Sequence, residues 1–206
     1  METKTPARLA CLSFILFVAL AARAEDARPV AARATIEAVS ADGASFTAKT
    51  REGDVRTVRL NPKTRFTFVV PAALADVKAG SFIGVAAIPT EGGEQRALEV
   101  HIFPEAMRGT GEGFHPYDIA PGSTMTNGNV EARVDNVNGP RLTVTYKGGQ
   151  QTILVDPQTP IVAFEPASRD DVKPGAAVLT RGPAGADGSI DAAFVLIGKN
   201  GFTPPL

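Results

Sequence analysis

The chain carries two histidines, His101 and His115, in or beside one stretch that also holds Glu105, Met107, Arg108, Glu112, Tyr117, Asp118, Met125 and Asn127. Imidazole with carboxylate suits zinc or nickel, and imidazole with thioether suits copper(I). A metal set of His101, His115 and Met107, with Glu105 or Asp118 beside them, is one chemistry this stretch offers, although the spacings match no defined metal motif. The other is recognition. Glu105, Arg108, Glu112, His115, Asp118 and Asn127 form a charged and polar set able to contact a ligand or partner. The same groups would serve as a clamp if they satisfied loop backbone and fixed the units on either side. No cofactor is specified by these residues.

Catalytic arrangements are weaker. Ser123 does not sit in a G-x-S-x-G elbow, and Gly109-Thr110-Gly111-Glu112-Gly113 has neither the spacing of a dinucleotide fingerprint nor the lysine of a phosphate loop. Glu105, Glu112 and Asp118 could pair as acid and base, but the chain has no Trp to serve as a sugar platform. The expectation is a non-enzyme.

The elements that must position these residues are repeats. Asn61-Pro62-Lys63-Thr64 recurs as Asp156-Pro157-Gln158-Thr159, and Asp76-Val77-Lys78-Ala79-Gly80 as Asp171-Val172-Lys173-Pro174-Gly175, both 95 residues on. Positions 62–80 and 157–175 share 8 of 19 residues without a gap. Two copies of one fold are the economical reading. Within them, Leu142, Val144 and Tyr146 alternate with Thr143 and Thr145, and Val100 and Ile102 with Glu99 and His101, the period-2 pattern of half-buried strands. Alternation puts His101 on the face of Glu99, as a surface histidine, and its counterpart in the second copy is Leu196. One helical turn is expected per copy, at Pro71–Val77 and Pro166–Val172, with Pro at its first position and Gly80 or Gly175 beyond its end.

Three strands, a short helix and two strands is the order of an OB-like barrel, with an SH3-like barrel as the near alternative. The expected organisation is all-β. A signal peptide (1–24) and an N-terminal extension (25–33) precede a first barrel (34–103), an ordered connection (104–128), a second barrel (129–198) and a C-terminal tail (199–206). The connection contains five Gly and three Pro and shows no apolar period.

Turn, strand, Asp-Pro-x-Thr, helical turn, Asp-Val-Lys-x-Gly, strand, and a closing strand after Asp187-Gly188 resemble the small exported bacterial β-barrel repeats called domain of unknown function 5666. Phe103 to Gly113 and Ser123 to Asn127 are similar to a subgroup often labelled metal-transporter permeases. The resemblance implies a fold and a compartment and no established activity. The permease label conflicts with a chain that offers no continuous spanning segment after its N-terminus.

That N-terminus reads as an export signal: Lys4 and Arg8, then 14 apolar residues from Leu9 to Ala22, then Ala22-Arg23-Ala24. Cleavage after Ala24 would remove Cys11, the only cysteine, and leave 18 basic and 21 acidic side chains, a formal charge of −3. The basic residues are scattered singly, which argues against nucleic acid as a partner. The sequence thus predicts a periplasmic, non-enzymatic binding or scaffold protein of the envelope. Its contact surface would be the connection, and its partner an envelope protein, an envelope component or a small ligand. The alternative is a periplasmic metal-binding accessory protein using His101 and His115.

Overall fold

The computed structural model describes residues 29–135 and 139–205. The expected signal segment, residues 25–28 of the extension, residues 136–138 of the second expected barrel and Leu206 lie outside them. The first copy forms β1 (Val30–Val39), β2 (Ser45–Thr50), β3 (Val55–Arg59), β4 (Arg65–Pro71), β5 (Phe82–Pro89) and β6 (Gln95–Ile102). The connection contributes β7 (Gly113–Pro116). The second copy forms β8 (Thr124–Val134), β9 (Arg141–Tyr146), β10 (Gly149–Leu154), β11 (Ile161–Pro166), β12 (Ala177–Gly182), β13 (Ile190–Asp191) and β14 (Phe194–Gly198). The protein is all-β. Its described helical elements are single 3₁₀ turns at Leu74–Asp76, Glu105–Met107, Arg169–Asp171 and Lys199–Gly201. No described helix is long and apolar enough to cross a membrane.

Two local expectations need correction. Pro71 and Pro166 do not open the helical turns; they are the last residues of β4 and β11, and the turns begin three residues later. A strand end tolerates proline because the missing N–H costs the ladder little there. Each copy also has four strands before its turn, not three. Gly80 and Gly175 do adopt positive φ, +81° and +84°. That left-handed geometry lets the Gly80 N–H reach Val130 O and the Gly175 N–H reach Ile36 O, each at 2.8 Å and each in the other copy.

The ladders cross between copies. A closed five-strand barrel runs β6–β5–β8–β9–β10 and closes where β10 pairs in parallel with β6. Two of its strands belong to the first copy and three to the second. The remaining strands repeat the order with the copies exchanged, β14–β12–β1–β2–β3–β13. In that second ladder Ile190 pairs with Val58, as Gln95 pairs with Ile153 in the barrel. The stretches 34–103 and 129–198, expected to close one barrel each, therefore supply strands to both ladders. β4 and β11 carry the chain across, pairing with each other antiparallel (Val69↔Phe164) between the two ladders.

The cores follow the exchange. Val85, Ala87 and Val100 of the first copy pack with Val130, Leu142, Val144 and Ile153 of the second inside the closed barrel. Ile36, Phe46 and Val58 of the first pack with Val178, Ile190, Val195 and Ile197 of the second in the other ladder. A third cluster of Val69, Val162, Phe164 and Leu179 draws on β4, β11 and β12.

Candidate functional site

The connection is ordered by its own polar groups. After the Glu105–Met107 turn, the Arg108 guanidinium donates to both Glu105 carboxylate oxygens, from Nε at 2.6 Å and Nη2 at 2.7 Å. It also donates to the Gly80 carbonyl at 3.0 Å and to Asn129 Oδ1. Its Cζ lies 5.9 Å from the centre of the Phe82 ring. Glu105 is held below its ordinary carboxyl range by the Arg108 hydrogen bond, and Arg108 is raised by the same contact. The Lys147 N–H donates to Glu112 at 2.9 Å. Arg33 of β1 reaches Asp118 at 3.2 Å, and the Asn127 amide donates to Thr110 O at 3.0 Å. Buried Ser123 donates its hydroxyl to the Ala120 carbonyl at 2.7 Å, with the Tyr117 carbonyl 3.0 Å away, which closes the loop before β8. Five of the six predicted contact residues thus tie the connection to the ladders or to itself. The sixth, His115, is exposed on β7 and curls over Gly113, where a Cβ would stand 2.8 Å from His115 Nε2.

The predicted metal set spans exposed and buried surroundings. His115 is exposed, while Met107 packs against the Val69–Val162–Phe164–Leu179 cluster. Among the described residues, no group of three or more His, Cys, Asp and Glu side chains is placed to hold a metal ion. His101, expected at the surface, is 4% exposed, and Glu99 on the same face is fully buried. The face assignment holds and the solvent assignment does not, because the neighbouring strand β11 and the connection bring side chains onto that side of β6. The Phe164 ring of β11 lies 5.5 Å from His101. Tyr117, from the connection, comes within electrostatic reach of Glu99. Its phenol is pushed up mainly by burial, with Asp118 and Glu99 adding to the rise and Arg33 opposing it. Glu99 Oε1 and His101 Nε2 stand 3.2 Å apart but outside hydrogen-bond geometry, so neither atom has a hydrogen-bond partner.

A second feature went unread in the sequence. Beside the connection lies a groove of about 680 Å³, floored by Phe66, Phe194 and Leu196 and walled by Phe103, Ala106 and Met107, with Arg65 and Glu165 also lining it. The available signal was β14 itself: Phe194-Val195-Leu196-Ile197 has no polar alternation, the mark of a strand with apolar neighbours on both faces. Phe103 stacks edge-on against Phe164 at 5.0 Å, so the wall of the groove rests on the cluster between the ladders. Against family models, curated proteins and solved structures the chain finds no match.

Proposed function

We propose that the protein is an exported, non-enzymatic binding or scaffold protein of the bacterial envelope that holds a small apolar ligand in the groove beside its connection. The observation that carries this reading is the groove itself. Its roughly 680 Å³ falls within the range of about 300–1,000 Å³ typical of small-molecule sites, and its lining is aromatic and aliphatic with a few polar groups. Met107 supplies an adaptable wall. The predicted contact set takes a supporting role in this reading: Glu105 and Arg108 hold the turn that presents Ala106 and Met107. The resemblance of both repeats to exported β-barrel repeats, and the N-terminal apolar run, support the periplasmic location. In the same reading the second ladder is a second OB-like barrel. The alternative built on His101, His115 and Met107 would need the exposed His115 to meet a buried histidine, and the groove is the stronger observation.

The test is binding of the apolar dye ANS to the native protein, followed by fluorescence, with Ala106→Trp as the variant. Ala106 is exposed in the groove, so an indole there fills the space without touching a core. Saturable dye binding that Ala106→Trp abolishes, at unchanged melting temperature, is expected. Equal binding by both proteins would overturn the reading.

A further inference from the structure

The buried polar face of the closed barrel has no counterpart in the other ladder. On β6, β5 and β8, Glu99 pairs with Ala86 and His101 with Gly84, and Gly84 pairs in turn with Asn127. These paired residues share one face, the outer one, since Val85 and Val100 between them point into the barrel core. Glu99 is 0%, His101 4% and Asn127 9% exposed. Both Glu99 carboxylate oxygens, His101 Nε2 and Asn127 Oδ1 lack hydrogen-bond partners. Ninety-five residues away, the equivalent positions are Phe194 for Glu99, Leu196 for His101, Leu179 for Gly84 and Ala32 for Asn127. The fold is content with carbon at every one of them. A carboxyl group buried without a hydrogen bond, beside an imidazole 3.2 Å away that lacks one too, is expensive for a protein to hold, and a bound ion would satisfy both at once.

We propose that Glu99 and His101 form an internal site for a divalent first-row transition ion, zinc in the first instance. Carboxylate oxygen and neutral imidazole are the donor types that zinc takes from proteins. Their spacing fits as well. Two ligand atoms each about 2.0–2.1 Å from a tetrahedral ion lie about 3.3 Å from one another, and Oε1 and Nε2 stand 3.2 Å apart. Asn127 Oδ1, also without a hydrogen-bond partner, lies over Gly84, the β5 residue paired with His101, its amide nitrogen being committed to Thr110 O. Glycine is required at position 84, since a Cβ there would stand 2.6 Å from that oxygen and 3.0 Å from Phe103 Cε2. The inference is independent of the groove and uses neither His115 nor Met107.

The experiment is calorimetric titration of metal-stripped protein with zinc, made on the native protein and again after refolding with zinc present, since the site is closed to solvent. One ion per chain is expected. Glu99→Gln and His101→Gln should each weaken it about 10-fold or more, given that loss of even outer-shell partners costs that much. His115→Ala should leave it unchanged. Zinc should also raise the melting temperature of the wild type, as any ligand of the folded state does. If the single variants fold poorly, Glu99→Phe with His101→Leu installs the pair that the other copy carries and must fold without binding. Absence of binding under both protocols, or binding that survives that double substitution, would overturn the site, as would loss on His115→Ala alone.

Discussion

Glu94, Glu105, Asp42, Asp171 and Asp187 all have carboxyl groups held below their ordinary values, which are 4.5 for Glu and 3.8 for Asp. The leading cause is Arg141 for Glu94, Arg108 for Glu105, the Ser40 hydroxyl for Asp42, the Ser168 backbone for Asp171 and the Ser189 hydroxyl for Asp187. A depressed carboxyl binds its proton less readily folded than unfolded, so its contribution is complete above the unfolded value and is lost as pH falls through the folded one. Tyr117 has the opposite sign: its raised phenol stabilises the fold below its ordinary value of 10.0 and loses that contribution in stronger base. Melting temperatures measured by circular dichroism are therefore expected to hold between pH 5 and 7 and to decline below about pH 4, where protonation removes the charged hydrogen bonds. Glu105→Gln should make that acid decline shallower. An unchanged acid limb in this variant would show that the Arg108 contact does not carry the linkage.

At the level of elements, β4 and β11 matter more than their sequence suggests. Both are flanked by strands on each side, β4 by β11 and β14 and β11 by β4 and β6, and they bring Val69, Val162 and Phe164 together between the ladders. Phe164 is 7% exposed and packs against Phe103 and His101. Phe164→Ala should cost about 3–5 kcal/mol, the usual range for removing a buried aromatic ring, read from urea unfolding with an unchanged slope. A loss below about 1 kcal/mol would mean that the contact between β11 and β6 is not a packed core.

For the molecule as a whole, strand exchange makes each copy the other's missing half. β1 bonds to β12, β5 to β8, β3 to β13 and β10 to β6, so the sheet bonds between copies survive if the connection is cut. A protease site inserted at Ala120-Pro121-Gly122, in the loop before β8, provides the cut. The cleaved protein is expected to elute from gel filtration at the mass of the intact chain and to melt in a single transition, separating only in denaturant. Two independent species after cleavage would contradict the exchange.

The all-β class and the strand faces were legible because each rests on local pattern. Identity recurs at a fixed offset, side chains alternate with a period of two, and glycine and proline punctuate turns. Glu99 and His101 were placed on one face for that reason. What covers the face was decided only in three dimensions, because alternation records which side chains point the same way and carries nothing about the layer opposite. The same limit explains the exchange of strands. A strand's unpaired N–H and C=O groups are alike whichever partner they meet, so Val85 and Val100 announce a buried face without revealing that Val144 and Ile153 of the other copy fill it. β4 and β11 join the two sets of strands, and equivalent positions end differently in them: the buried polar pair Glu99 and His101 in one, the groove residues Phe194 and Leu196 in the other.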